Sequence, residues 1–246
     1  MLTLFFTASF VFLGYLVYGL TGFGASIVAL PLIAQFIPLK LAVAMMLAMD
    51  LVAGFLFGLK NRRDVDLREV KPLLPWMVIG MILGVTLLVQ APESALLVLL
   101  GAFALLQSVR NLAFSPTFTP IDRSWRVAYG MVGGVFSALF GTGGPIYIIY
   151  VARRVTSEAV RRATVAFLIF LAGMGRLLLF VMAGLVFDPR LGPYLMVCLP
   201  VCLLAVYSGS QLRKRLHVRH LNRLVWVLVG GAGLSLLIRH LPRLIA

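Results

Sequence analysis

Long apolar runs parted by short basic loops constrain this chain more than any other feature. A bilayer core about 30 Å thick takes roughly 20 apolar residues as helix. Runs of that kind cover residues 41–59, 72–90, 95–109, 163–187, 194–210 and 224–238. Of 246 residues, 61% are hydrophobic and only 12% are charged, whereas a soluble domain carries about 25% charged residues. The reading is an all-α polytopic membrane protein with no room for a soluble domain. The first apolar stretch lacks a basic flank and a cleavage site, so it reads as a retained segment rather than a signal peptide.

The formal net charge of +14 does not point to nucleic acid. The cations sit in loops between apolar spans, where they set orientation in a membrane. Cys198 and Cys202 lie four apart within one span and read as small packing residues on one helix face. The "HVRH" stretch holding His217 and His220 has no carboxylate or cysteine beside it and reads as a solvated basic face, so neither a metal nor a cofactor is expected. No phosphate loop, zinc-protease motif, dinucleotide turn or nucleophile elbow is present, and no histidine lies in a span to activate the serines of "YSGS" (207–210). An enzyme is not expected.

Two regions, 2–37 and 127–152, do not fit as single spans. Each is interrupted by glycine: "GLTGFGASIVALPLIA" (19–34) and "LFGTGGPIYIIYVA" (139–152). Charge decides how they cross. If 127–152 enters and returns as a hairpin, Arg153, Arg154, Arg161 and Arg162 stay on the side of Lys60, Arg62, Arg63, Arg68, Lys71, Arg110, Arg123 and Arg126. With Arg213, Lys214, Arg215, Arg219 and Arg223, that places 17 basic residues inside and leaves Lys40, Arg190, Arg239 and Arg243 outside. Such asymmetry follows the positive-inside rule, and it puts both termini on the outer face.

The same layout in each half gives two inverted-topology repeats, 1–112 and 113–246, each a broken-helix hairpin plus three transmembrane helices. A shift of 119 residues pairs Gly22 with Gly141, Gly24 with Gly143 and Ala44 with Ala163. Glycine suits a hairpin tip because it adopts positive φ and lets another group come close. Pro145 suits the first turn of the returning helix, where its missing N–H costs nothing, and Ser26 aligns with it.

A returning half-helix starts with unpaired N–H groups and the positive end of a dipole, which together attract anions. Two such ends, brought from opposite faces, would meet near the midplane. The expected substrate-binding residues are Thr21, Gly22, Phe23, Gly24, Ser26, Gly141, Thr142, Gly143 and Gly144. Arg176, deep in its span, joins them as an anion contact, an ion-pair partner of Asp50, or a snorkelling side chain. Asp50 is either that partner or a proton carrier in coupling. Tyr147 and Tyr150 read equally as pocket wall or packing, and Gln35, Gln90 and Gln107 as interfacial anchors. Gly130, Gly133, Gly134, Gly230, Gly231 and Gly233 read as close-packing residues.

"GLTGFGASIVALPLIA" and "GGVFSALFGTGGPIYIIYVA" resemble the paired glycine-rich motifs of the TauE/SafE family of sulfite and organosulfonate exporters. The resemblance spans essentially the whole chain. It implies a bacterial inner-membrane carrier for a small sulfur-containing anion such as sulfite or sulfoacetate, with lipid and substrate as its partners. This chain departs from the family pattern where Ala25 and Ser26 follow Gly24, where Pro145 follows Gly144 directly, and where Tyr150 stands opposite Pro31. The alternative is a non-transporting membrane assembly or maturation partner whose glycines only pack. Whether the chain forms a homodimer leaves no trace in the sequence.

Overall fold

With no water in the bilayer core, backbone groups are satisfied internally, and helices do this within one segment. The computed structural model describes residues 2–22, 24–57, 64–113, 120–212 and 218–242, and among these it contains ten α-helices. They are α1 (Leu2–Thr21), α2 (Ala25–Ile33), α3 (Leu39–Phe57), α4 (Leu67–Gln90) and α5 (Glu93–Ala113), then α6 (Arg126–Phe140), α7 (Gly144–Arg154), α8 (Glu158–Met182), α9 (Leu191–Leu212) and α10 (Val218–His240). A 3-10 turn, Arg123–Trp125, leads into α6. Phe23, Lys60, Arg62, Arg63, Arg213, Lys214, Arg215, His217 and Arg243 lie outside the described residues.

Among the described residues, six helices are long and apolar enough to cross a membrane: α1, α4, α5, α8, α9, and α10 from Arg223 onward. Five of them overlap the expected spans, and α1 is added. At a rise of 1.5 Å per residue, the 20 residues of α1 reach about 30 Å, the full hydrocarbon thickness. The helix after the break, α2, has 9 residues and runs only about 13 Å. In the second half, α6 and α7 have 15 and 11 residues.

The helices pack as two units. The first holds residues 1–46, 90–116 and 188–246, the second 47–89 and 117–187. In the first unit, α1 lies against α9 because two glycines let the backbones touch. A Cβ at Gly19 would stand 2.5 Å from the Val206 carbonyl oxygen, and one at Gly209 would strike that of Leu16. Gly101 of α5 and Gly233 of α10 face each other in the same way, at 2.8 and 2.7 Å from each other's carbonyl oxygens. Ser108 donates its hydroxyl proton to the Trp226 carbonyl at 2.5 Å. Glu93 caps the start of α3, accepting the Leu39 N–H at 2.6 Å.

The second unit repeats the device with α6 on α4. A Cβ at Gly84 would stand 2.7 Å from the Val135 carbonyl oxygen, and one at Gly130 would stand 2.7 Å from Trp76 Cβ. Gly80 and Gly134 press on Met131 and Met77. Small residues at such crossings let membrane helices approach closely, so the packing role expected for Gly130, Gly134 and Gly233 is the one observed. Gly231 has nothing near its missing Cβ. Cys198 and Cys202 are fully buried free thiols in α9. Gln107 is buried rather than interfacial, because it faces inward from α5. Gln35 donates to the Pro31 carbonyl at 3.1 Å and accepts from Ser235 at 3.3 Å.

Candidate functional site

Both glycine-rich stretches end one helix and start another. At the first, Gly22 (φ 85°) closes α1, its N–H donating to the Tyr18 carbonyl at 2.7 Å. At the second, Gly141 (φ 69°) closes α6, its N–H donating to the Ser137 carbonyl at 2.8 Å. Both are left-handed C-caps of the kind glycine supplies without steric cost. Tyr18 and Ser137, like Gly22 and Gly141, are 119 residues apart. The helix starts keep that spacing: Ala25 of α2 against Gly144 of α7, and Leu39 of α3 against Glu158 of α8.

The chain folds back after each break. A Cβ on Gly14 of α1 would meet Ala29 Cβ at 2.7 Å, seven residues before the end of α1 and four past the start of α2. At the second break, a Cβ on Gly133 would press into the Tyr147 ring, and one on Gly143 would stand 2.7 Å from the Gly133 carbonyl oxygen. Gly24, before α2, is left-handed (φ 89°) with open space at its Cβ. Gly143, before α7, is not: its φ is −65°, and its need for glycine is steric. The matching glycines of the two motifs answer different demands.

Neither returning helix has a side-chain cap. The first intrahelical bond of α2 runs from Val28 N–H to the Gly24 carbonyl at 3.4 Å. In α7, Ile146 and Tyr147 both donate to the Gly143 carbonyl at 3.1 Å. That leaves the amides of Ala25 and Ile27 at one start, and of Gly143 and Gly144 at the other, without protein acceptors among the described residues. Ser26 and Thr142 are buried, at 3% and 1% exposure. The Thr21 hydroxyl proton goes to the Val17 carbonyl at 2.8 Å, and that of Thr142 points to the Phe136 carbonyl at a long 3.4 Å. Of the two threonines, Thr142 is the less committed donor.

Tyr147 stands out against the second break. It is fully buried, and its hydroxyl finds no hydrogen-bond partner among the described residues. A buried, unmade hydroxyl bond costs about 1–3 kcal/mol, so Tyr147 holds a spare donor beside the second break.

Arg176 is buried in α8 at 2% exposure, with Nη1 4.0 Å from Asp50 Oδ2 and the guanidinium carbon 5.2 Å from the centre of the Phe180 ring. Ile169, the residue facing Gly144, lies seven positions earlier in α8, about 10 Å along its axis. The second unit therefore brings Gly141–Gly144 together and sets the Arg176–Asp50 pair roughly two turns off. Thr21, Gly22, Gly24 and Ser26 belong to the first unit.

Sequence reasoning missed one polar cluster. Glu69, at the start of α4, accepts Tyr150 Oη–H on Oε2 at 2.8 Å, and Arg154 Nη2 and Nε on Oε1 at 2.8 and 3.2 Å. Arg154 Nη1 also donates to the Ile121 carbonyl at 3.0 Å. The available signal was Tyr150 and Arg154 four apart on one helix face, beside a chain poor in acidic residues.

These features define an all-helical, multi-pass membrane protein with two interrupted helices whose broken ends are rich in backbone donors. The chain matches the family model described as sulfite exporter TauE/SafE over residues 6–236, and it belongs to that family. It is 28% identical over 194 residues to the probable inner membrane transporter protein TsaS of Comamonas testosteroni, covering 78% of this chain and 81% of the relative. No solved structure matches. The chain is a membrane transporter and not an enzyme.

Proposed function

We propose that the protein carries a small sulfur-containing anion (sulfite, sulfoacetate or a related organosulfonate) across the bacterial inner membrane by alternating access, and that the anion is bound at the glycine-rich breaks. The observation that carries this reading is chemical. Two helices begin on uncapped amides within apolar, buried chain, where unpaired N–H groups cost several kcal/mol each unless something meets them. An oxyanion meets them well, since charge-assisted bonds to backbone N–H are about twice as strong as neutral ones.

The family's description supplies the sulfur oxyanion, and the relative's name the inner membrane. In this reading each break offers an anion site within its own unit, from Thr142, Gly143, Gly144 and Tyr147 at the second and from Gly22, Gly24 and Ser26 at the first. Arg176 and Asp50 act as a mutually balanced pair within the span. Support for two repeats, 1–112 and 113–246, comes from the 119-residue spacing of both C-caps and of three successive helix starts.

Calorimetric titration of the detergent-purified protein with sulfite, sulfoacetate and acetate tests the reading. Saturable binding of the sulfur oxyanions, weaker for acetate, is expected. Absence of binding to all three would overturn it.

A further inference from the structure

The second unit contains a cavity of about 210 Å³ apart from either break, lined by Arg68, Glu69, Pro72, Arg123, Arg126 and Tyr150. One water occupies roughly 30 Å³ in the liquid, so a tetrahedral ion with much of its hydration fits. The charges around the space do not cancel. Both Glu69 oxygens are already engaged, one by Tyr150 and the other by Arg154. Asp66, just before α4, has its Oδ1 on the backbone N–H of Arg68 at 3.0 Å, and Asp122, next to Arg123 in sequence, acts on Arg154. Arg68, Arg123 and Arg126 form no ion pair among the described residues. Three arginines thus face one cavity whose lining carboxylate, Glu69, is matched by a fourth.

These arginines come from three places, the first turn of α4, the 3-10 turn Arg123–Trp125 and the first residue of α6. Each sits on helical backbone. Guanidinium groups bind phosphoryl and sulfonyl oxygens in bidentate fashion. We infer that this cavity is a second oxyanion site, distinct from the glycine-rich breaks and specific for a tetrahedral phosphoryl or sulfonyl group. That chemistry is shared by a free anion and by the headgroup of an anionic phospholipid.

Arginine modification by phenylglyoxal, mapped by peptide mass spectrometry on the full-length protein, tests the inference. In neutral detergent, inorganic sulfate is the probe; without sulfate, nanodiscs of phosphatidylglycerol are compared with nanodiscs of phosphatidylcholine. Exposed Arg239, outside this unit, is the internal reference. Protection of Arg68, Arg123 and Arg126 relative to Arg239 is expected, about tenfold with sulfate at ten times its dissociation constant. Protection by sulfate assigns the site to a free anion, and protection in phosphatidylglycerol alone assigns it to lipid. In the double variant Arg123→Gln/Arg126→Gln, the first residue exposed and the second half-buried, Arg68 should lose its protection. Equal modification of all four arginines under every condition, or protection of Arg68 unchanged in the double variant, would overturn the site.

Discussion

At the second break three neighbouring residues are glycine for three different reasons. Gly141 needs a left-handed backbone (φ 69°), while Gly143 needs an absent side chain, because its Cβ would lie 2.7 Å from the Gly133 carbonyl oxygen. Gly144 needs neither: its Cβ would sit 3.4 Å from Ile169 Cδ1, an ordinary contact. A glycine that packing does not require, at the first turn of an uncapped helix, is where approach by a ligand best explains the residue. Tyr147 carries the complementary argument. If its orphaned hydroxyl serves only the fold, Tyr147→Phe removes an unmade hydrogen bond at no loss. We expect that variant to be as stable as the parent or stabler by about 1 kcal/mol, by thermal melting in detergent, and to bind sulfite several-fold more weakly in the same preparation. Unchanged affinity would remove Tyr147 from the site.

Among elements, the Glu69 cluster ties α4 to α7 and to the chain before α6. Glu69→Ala would leave the Arg154 guanidinium and the Tyr150 hydroxyl facing a partly buried gap, and breaking such a pair costs about 3 kcal/mol at the lower end of the buried range. A fall of several degrees in melting temperature is expected, and an unchanged midpoint would show the cluster to be ornamental to stability. This cluster was illegible in the sequence because its partners are 81 and 85 residues apart. The spans themselves were legible, with ends displaced for a physical reason. Hydropathy marks where a helix meets hydrocarbon, but the helix runs on through charged turns, so 95–109 became Glu93–Ala113 and 224–238 became Val218–His240. The expected span 163–187 instead starts early, at Glu158, and stops at Met182, ahead of Gly184 with φ 75°. The breaks were readable from glycine spacing, whereas the length of α1 was not, since its apolar run merges with the break.

For the whole molecule, each packing unit joins an interrupted helix from one half of the chain to a span from the other: α1 to α9, and α6 to α4. Under the 119-residue shift these are equivalent pairings, which is how two related halves would interlock. Single cysteines at Pro38 and Ser157, in a background lacking Cys198 and Cys202, should be labelled by an impermeant maleimide from opposite membrane faces. Labelling of both from one face would exclude the inverted arrangement. The central claim, that an oxyanion is moved across the membrane against the broken helix ends, is tested most directly by sulfite flux in proteoliposomes holding the wild type or Gly144→Val. We expect flux with the wild type, and a fall of about tenfold or more in a variant that melts at the parental temperature, since a lost charge-assisted contact is worth about 1.5–3 kcal/mol. Parental flux in Gly144→Val, or no sulfite flux in the wild type, would contradict the account.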